Sequence, residues 1–435
     1  MGAMLADATV QGLAAARRPP SEEPRWLSAG RAAALRRFME LGLPTPRDED
    51  WRFTDLRPLR TALAPGAGAA APSTSGMTLH RLSQATDRLV FVDGRLDRSS
   101  SRLGALPPGA WCTSIIDALA TRPDLVAPAL AAMDEQGARP FASLNAAQFT
   151  DGMLLVLESG IVLERPIELV CLRSTQGGVP VQLRHRIAMG EGSAATVTES
   201  ALGEGAGSTN DVSVLTLHDR ARLAYVKLQT ESGSAVHLAE LRATLGSAAV
   251  LDSVFLTLGA RLSRQDIHVA LAGESARFTL SGTCLLRGEQ EAVFAPFVDH
   301  QVANCQTSEL FKTVVDDHAH GVFLGTIAVR EGADGTEAHQ QNRNLLLSPT
   351  ARADARPELT IYADEVKCSH GATVGDLDDA ALFYLQARGL DPVAARAMLI
   401  AAFAAEPLDG AALPTGLRDS LRLHLSAWLG TGEIG

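Results

Sequence analysis

The chain has 435 residues, of which 46% are hydrophobic and 20% charged, and its formal net charge at pH 7 is −11. A chain of this length is expected to have about three domains, and its composition is that of a folded protein and excludes a disordered chain. The acidic balance argues against a nucleic-acid-binding surface, because an acidic protein surface would repel phosphates. The longest clean apolar stretch, at 397–405, is shorter than the roughly 18 residues that a membrane helix needs. The N-terminus lacks the basic patch and apolar segment of a secretory signal.

The cysteines are odd in number and far apart in the sequence: Cys112, Cys171, Cys284, Cys305 and Cys368. This spacing does not predict a disulfide framework and fits a reducing cytoplasm. It also excludes a self-contained four-cysteine zinc or iron–sulfur motif. The chain has no P-loop, so a partner would have to bind any ATP that it uses.

The first 145 residues are predicted to be mostly helical. Ser28 is expected to cap a helix whose apolar residues recur at helical spacing, and Gly42 is expected to end it. The stretch 64–76 is rich in Ala, Gly, Pro and Ser and predicts a linker. After it, 89–92 predicts a strand that enters a tight turn at Asp93-Gly94.

Residues 146–374 change to a period of two. In 181–189, apolar and polar residues alternate as in a strand with one buried face. Pro296 is the single proline between Val181 and Ser348, so most backbone N–H groups can donate to neighbouring strands. Further strands are predicted at 212–217, 223–228, 267–271, 278–286 and 322–329. A sheet region of this size predicts a sandwich, a barrel or a β-helix, and periodicity alone does not choose among them.

Residues 375–435 return to helical patterns. An aspartate at 376 or 378 is expected to cap a first helix that Gly389 ends. A second helix is expected to open at Pro392 and to end before Pro407, and a third is expected over 417–428. These short helices are predicted to stand apart from the sheet as a small cap or a docking module.

The most concentrated group of chemically active residues lies in 364–375. On a strand, Cys368 and His370 would point to the same face, about 7 Å apart. A thiolate and an imidazole together suit zinc or iron. Two ligands cannot complete a metal site, so further ligands would come from elsewhere in the chain or from another chain. The alternative is that Cys368 is a small buried hydrophobe and His370 a hydrogen-bonded residue at a strand end.

Two weaker groups of candidates also carry an alternative. The first could be an internal metal site, although a polar turn is favoured there. It consists of Asp316, Asp317, His318, His320 and His339. The second could line a groove as general acids and bases, although charged residues on a sheet more often form a solvated face. It consists of Glu199, Glu204, Glu231 and Glu240.

Several segments together resemble the SufB/SufD family of iron–sulfur cluster assembly proteins. They are NRNLLLS at 342–348, PEL at 357–359, ADEVKCSHGATVG at 363–375, LFYL at 382–385, ARG at 387–389, GLPT at 42–45, EDWRFT at 49–54, FASLN at 141–145 and RPIE at 165–168. The SufB branch is longer and has a cysteine-rich motif near its N-terminus that this chain lacks. The sequence is therefore most similar to the SufD branch.

The resemblance implies a mainly β fold with a right-handed parallel β-helix core at 146–374. It implies flanking helical domains at 1–145, with a linker, and at 375–435. It also implies a non-catalytic scaffold that pairs with SufB and docks the ABC-type ATPase SufC. In such complexes a transient iron–sulfur cluster is expected at the SufB–SufD interface, with His370 as its ligand and Cys368 as a secondary one. SufC is expected to dock around Phe383, Tyr384, Arg388 and Phe403.

The same resemblance implies that SufC supplies the nucleotide site, and it is compatible with reduced flavin in the complex. The isolated chain could form a homodimer through an open sheet edge. The protein is expected in the cytoplasm, without nucleic-acid or membrane partners. The alternative from another class is a metal-dependent β-helix hydrolase or polysaccharide lyase. Such an enzyme would show a groove of carboxylates or arginines and would act without partners.

Overall fold

The computed structural model describes residues 10–13, 23–62, 82, 87–130, 139–174 and 180–430. The predicted linker at 64–76 lies outside these residues. The helices are α1 (Arg25–Leu41), α2 (Leu56–Ala62), α3 (Ile115–Thr121), α4 (Pro123–Leu130), α5 (Pro140–Gln148), α6 (Asp379–Ala387), α7 (Pro392–Gly410) and α8 (Thr415–Leu429), with a 3-10 turn at Glu49–Trp51.

Strands make up most of the described chain. They are β1 (Asp87–Val92), β2 (Arg95–Leu96), β3 (Ala110–Ser114), β4 (Met153–Leu157), β5 (Ile167–Arg173), β6 (Val181–Met189), β7 (Ala194–Gly203), β8 (Gly207–Leu217), β9 (Arg222–Gln229), β10 (Ala235–Leu245), β11 (Val250–Thr257), β12 (Leu262–Leu271), β13 (Arg277–Leu286), β14 (Glu291–His300), β15 (Gln306–Val315), β16 (His320–Phe323), β17 (Thr326–Val329), β18 (Glu337–Leu346), β19 (Arg352–Ala355), β20 (Glu358–Ile361) and β21 (Lys367–Gly375).

These strands form a parallel β-solenoid. Successive strands along the chain alternate between a ten-stranded sheet, β2-β1-β5-β7-β9-β11-β13-β15-β18-β21, and an eleven-stranded sheet that ends at β19. Each strand pairs in parallel with the strand of the next coil, apart from the antiparallel pairs β1–β2 and β3–β4. The predicted turn at Asp93-Gly94 joins β1 to β2, with φ of 47° and 80°. The expected mainly β fold of the β-helix class, with helices at both ends of the chain, is confirmed.

The lumen between the two sheets holds the main hydrophobic core. Alternate residues of each strand point inward, and most are Leu, Val, Ile, Ala or Phe. A column of aromatic rings runs along part of the lumen, with ring centroids 6.3, 6.1, 4.1 and 5.7 Å apart between successive members. We call it the aromatic column; it consists of Tyr225, Phe255, Phe294, Phe311 and Phe323.

The N-terminal helices cover the outer face of the eleven-stranded sheet. Gln182 and Arg184 of β6 are therefore buried, and the prediction that this strand has only one buried face is wrong. Asn145 of α5 shows why the cover fits, because its side-chain amide donates to the carbonyl of Leu183 at 2.6 Å. Its side-chain oxygen accepts from Arg184 at 3.2 Å.

The C-terminal helices cover the ten-stranded sheet, so the prediction that they stand apart from it is wrong. Ile400, Ala404 and Leu408 form one stripe of α7 and pack against outward-facing apolar residues such as Leu285 and Val314. This burial also explains why α7 continues past Pro407 to Gly410 instead of ending before the proline. The packed stripe offsets the loss of one helical hydrogen bond.

Two local predictions also change. Helix α1 begins at Arg25 after Pro24, so Ser28 is not its cap; the Ser28 hydroxyl donates to the carbonyl of Arg25 at 3.1 Å. The run 322–329 forms two strands, β16 and β17, interrupted near Gly325. Other predictions hold: Asp378 caps α6, α7 opens at Pro392, and the expected third helix is α8. No helix in the described part of the chain is long and apolar enough to cross a membrane.

Candidate functional site

The solenoid ends in an uncovered coil. Strand β21 pairs with β18, and within the described ranges no strand pairs with its other edge. Nearly every residue of β21 is exposed. The same end exposes apolar side chains, with Tyr362 at 64% and Val374 at 52%. We call this end, formed by β19, β20 and β21, the rim. Its unpaired backbone groups and apolar side chains are features that a partner strand would cover.

Cys368 and His370 both face the lumen at the rim, on the same side of β21 as expected. Their register partners on β18 are Ala338 and Gln340, which are buried inward-facing residues. His370 is exposed, and Cys368 is half-buried against the core. Burial raises the pKa of the Cys368 thiol, so this group binds a metal only after it gives up its proton. The pair offers one imidazole nitrogen and one sulfur to a metal that approaches from solvent.

A second group of titratable residues lies deep in the lumen, near the N-terminal coils. Its members are all buried, and we call it the inner network. It consists of Cys171, His185, Glu199, Asp211, Tyr225 and Lys227. The ligand atoms of Cys171, His185 and Asp211 lie within 4.8 Å of one another, which makes this triad a candidate metal site.

The hydrogen bonds of His185 argue against a metal at this triad. The backbone N–H of Met153 donates to His185 Nδ1 at 2.9 Å. The neutral ring therefore carries its proton on Nε2, which faces Asp211 Oδ1 at 2.9 Å. Coordination through Nε2 would need an imidazolate or the loss of the bond from Met153. The Nε2 atom thus carries a proton where a metal would have to bind.

A lysine supplies the cation of the inner network instead. The Nζ atom of Lys227 lies 2.5 Å from Glu199 and 3.2 Å from Asp211. Burial alone would lower the pKa of Lys227, but the two carboxylates raise it above its usual value. Burial raises the pKa of Cys171 far above its usual value, and Asp211 raises it further. The network is thus a closed arrangement of a protonated lysine, acidic partners and a neutral thiol.

Sequence reasoning had not identified the inner network. Its residues come from strands on both sheets, and only the coil register brings them together. Lys227 was the available signal, because it is one of three lysines in the chain and stands at an inward position of an otherwise apolar strand. A charged residue at such a position requires a buried partner.

The weaker candidates of the sequence do not form the sites considered for them. His318 is exposed on a turn, whereas His320 is buried between Glu291 at 3.4 Å and Asp354 at 2.7 Å. His339 instead contacts Ser369 at 2.8 Å. Of the four glutamates, Glu204 is exposed and the other three are buried in ion pairs; Glu240 also lines the cavity described next, so the four share neither one groove nor one solvated face.

A cavity of about 180 Å³ lies between the N-terminal segment and the eleven-stranded sheet. Its arginines are paired: Arg264 with Asp266 at 2.8 Å, and Arg356 with Asp50 at 3.2 Å. The Arg264 guanidinium also lies 3.9 Å from the centroid of the Trp51 ring. The motif at 49–54 therefore attaches the N-terminal segment to the solenoid.

The four candidate docking residues fall into two groups. Phe383, Tyr384 and Arg388 are exposed on and after α6, and Phe383 reaches 73% exposure. The Arg388 guanidinium lies 5.0 Å from the centroid of the Tyr384 ring. Phe403 is half-buried instead, with its ring 4.2 Å from Lys312 Nζ, so it packs within the chain.

Comparison with known proteins gives consistent matches. Residues 172–403 match the family model described as "SUF system FeS cluster assembly, SufBD core domain". An iron–sulfur cluster assembly SufBD family protein of Synechocystis is 33% identical over 384 residues, covering 85% of this chain and 84% of the relative. The iron–sulfur cluster assembly protein SufD of Escherichia coli is 30% identical over 404 residues, covering 92% of each chain. A SufBD family protein of Mycobacterium tuberculosis is 29% identical over 382 residues, covering 86% of each chain.

Proposed function

Because this chain belongs to the SufB/SufD family of iron–sulfur cluster assembly proteins, most like SufD, we propose that it is a non-catalytic scaffold subunit that holds a nascent cluster at its rim. The observation that carries this proposal is the uncovered last coil, which presents Cys368 and His370 beside an unpaired strand edge. The cluster is the product that the complex builds and passes on.

The rim has the chemistry of half a binding site. Neutral imidazole and thiolate are both ligands of iron. We assign His370 as the primary ligand, because it is exposed, and Cys368 as a secondary one, because burial raises the pKa of its thiol. The remaining ligands would come from SufB, whose strand would pair with the open edge of β21. In the isolated chain the same edge would be available to a second copy.

The C-terminal helices offer a separate surface for SufC. Phe383 and Tyr384 are exposed beside Val393 and Met398, which are exposed as well. Apolar side chains grouped on an exposed helical surface are typical of a docking site. We assign SufC to this surface, with Arg388 at its edge, and leave Phe403 to the interior contact with Lys312. SufC would bring the nucleotide site.

The remaining assignments follow from the same premise. We place the protein in the cytoplasm, where five cysteines without disulfides stay reduced. We assign no flavin site to this chain, because the family resemblance places reduced flavin mainly on SufB. In the described lining of the cavity, Arg264 and Arg356 are held in ion pairs and His268 Nδ1 accepts from Arg139 at 2.8 Å, so we favour the scaffold over a β-helix hydrolase or lyase.

The test is His370→Ala in a complex reconstituted with SufB and SufC and loaded anaerobically with iron and sulfide. We expect cluster absorption to fall by about tenfold or more, as for loss of a metal ligand, with SufC binding retained. Cys368→Ala should lower it less. His318→Ala is the matched control, since it removes an exposed histidine outside the rim. Unchanged cluster yield in His370→Ala would contradict the assignment.

A further inference from the structure

A polar ladder leads from the rim into the solenoid. Glu309 on β15 is the register partner of Gln340 on β18, and Gln340 is the register partner of His370 on β21. Neighbouring strands lie about 4.8 Å apart, so the three side chains occupy successive levels of one inward-facing row. Below Glu309 the row continues with Leu280, which belongs to the apolar core. The ladder is therefore a polar extension of the rim.

A hydrogen bond to Glu309 on the neighbouring strand β15 determines the orientation of the Gln340 amide. Its Nε2 atom donates to Glu309 Oε2 at 2.7 Å. The ionised carboxylate of Glu309 only accepts hydrogen bonds, so in this state the NH2 group faces Glu309 and the amide oxygen is directed away from it. Gly325 leaves room for this arrangement, because a Cβ atom at that position would lie 2.4 Å from Gln340 Nε2.

The layer directly beneath the last coil has polar atoms that no described residue satisfies. Within the described ranges, Glu309 Oε1, Gln340 Oε1 and Asn342 Nδ2 are buried and lack hydrogen bonds. Gln340 and Glu309 are both almost fully buried, with exposures of 1% and 2%. An unsatisfied buried polar atom is costly, so such a group calls for a functional explanation. The next residue of the row toward the rim, and the register partner of Gln340, is His370, whose imidazole carries an N–H donor.

We propose that Gln340 and Glu309 are positioning residues for His370: the Gln340 oxygen accepts the N–H of the imidazole, and Glu309 holds the amide that presents this oxygen. This inference rests on the proposed function of the rim. Histidines that bind metals commonly donate their second N–H to a carbonyl or carboxylate, which fixes the tautomer and the ring orientation. The ladder would leave the other imidazole nitrogen of His370 free, directed to the partner side.

Glu309 contributes through its charge as well as its hydrogen bond. Burial raises the pKa of Glu309 to about 7, and the bond from Gln340 partly opposes this shift. At higher pH the carboxylate forms, binds the amide NH2 more strongly and holds the oxygen toward the rim. In this proposal Gln340 connects a buried carboxylate with an exposed imidazole.

The test measures the tautomer of His370 by 15N NMR in the full chain labelled at histidine. The nitrogen chemical shifts, recorded at about pH 8, show which atom of the ring carries the proton. We expect one tautomer to predominate at His370, unlike the exposed His318. In Gln340→Met the tautomer ratio should shift about tenfold toward that of His318, the effect of one hydrogen bond. Spectra of His370→Ala and His318→Ala assign the two signals.

Gln341→Met is the matched control, because it makes the same change on the same strand but on the outward face, where Gln341 contacts Arg343 at 2.7 Å. It should leave the His370 ratio unchanged. Glu309→Gln should shift the ratio in the same direction as Gln340→Met but less, since an amide at 309 still accepts a hydrogen bond. The proposal is wrong if Gln340→Met keeps the wild-type ratio while circular dichroism shows the fold intact.

This experiment separates the two proposals, because the tautomer is measured without a cluster. A shifted ratio in Gln340→Met together with full cluster yield in His370→Ala would support the ladder and overturn the cluster ligand. An unchanged ratio together with lost yield in His370→Ala would do the opposite. If both proposals hold, Gln340→Met should lower cluster yield about tenfold in the reconstituted complex, and Gln341→Met should not.

Discussion

The inner network and the rim each contain a cysteine and a histidine, yet the surroundings of these residues differ: they are closed in the inner network and open at the rim. In the inner network, Cys171 and His185 are buried, and Lys227 balances the nearby carboxylates. At the rim, Cys368 and His370 face an open coil without a full set of ligands. The same residue types therefore form a closed structural unit in one place and, in our proposal, an incomplete binding site in the other. The difference lies in which groups surround them.

The aromatic column lies between the inner network and the rim and separates their polar groups. It starts at Tyr225, which hydrogen-bonds to Glu199 of the inner network. It passes through Phe311, two residues after Glu309 on the same strand. Packed aromatic rings leave little space for water or ions, so charge in the inner network is separated from chemistry at the rim. Substitutions in one region should thus leave the other largely unaffected.

The largest expected difference is in thiol reactivity. With an alkylating reagent at about pH 8, Cys368 should react while Cys171 reacts at least about a thousandfold more slowly, because a buried thiol becomes available only through unfolding. Cys112, Cys284 and Cys305 are buried too and should share this protection. Mass spectrometry of labelled peptides over time checks the result. In Cys368→Ser the fast phase should disappear; its persistence would show that another cysteine is accessible.

The next effect is on stability and concerns two lysines. Lys227→Met should lower the free energy of unfolding by roughly 3–5 kcal/mol, since it leaves buried Glu199 and Asp211 without their cation. Lys367→Met is the matched control on the rim, where Lys367 forms an exposed pair with Glu337, and it should have no measurable effect. Urea denaturation followed by tryptophan fluorescence compares the two. Equal effects would contradict the distinction between a closed and an open region.

A smaller effect depends on pH and tests the level just beneath the rim. Because the pKa of Glu309 is raised to about 7, the folded state holds this proton more tightly than the unfolded state does. The stability of the protein therefore falls as pH rises from the unfolded pKa through 7. Glu309→Gln removes this penalty, so it should be more stable than the wild type by about 3 kcal/mol at pH 8 and by under about 1 kcal/mol at pH 5.

The measurement is the urea midpoint of both proteins at the two pH values. Glu337→Gln serves as the control, because Glu337 is a surface carboxylate and Lys367 lowers its pKa, as expected for an exposed ion pair. It should not stabilise the protein at high pH. A wild-type midpoint that does not change with pH relative to Glu309→Gln would mean that Glu309 keeps an ordinary pKa, as a carboxylate reached by water would.

The sequence indicated where the strands lie but not which elements cover their outer faces. Period-two patterns such as 181–189 marked real strands, because side chains alternate across a sheet. They could not show that Gln182 and Arg184 lie beneath α5, since a polar residue on an outer face looks solvent-exposed in the pattern. The prediction that the helix ends before Pro407 was wrong for a related reason. It used the local rule that proline ends a helix, whereas packing of Ile400 and Leu408 on the sheet extends the helix past Pro407.

The candidate site divides in the same way. Cys368 and His370 were identified because they are neighbours in sequence, and strand geometry then fixes their common face. The inner network and the ladder of Glu309, Gln340 and His370 were not, because their members are about 30 residues or half a coil apart and meet only through the register of the solenoid. Register depends on loop lengths in each coil, which a pattern of hydrophobic residues does not specify.

The smallest expected effect is the stability change of His370→Ala, and it decides how the functional test is understood. His370 is exposed on a strand with one free edge, so its loss should change the free energy of unfolding by less than about 0.5 kcal/mol. The urea midpoints of His370→Ala and His318→Ala should therefore both match that of the wild type. If His370→Ala were destabilised as strongly as Lys227→Met, the rim would be a structural unit like the inner network, and lost cluster yield would report on folding. A stable variant that fails to build the cluster shows instead that this imidazole is kept for a ligand outside the chain.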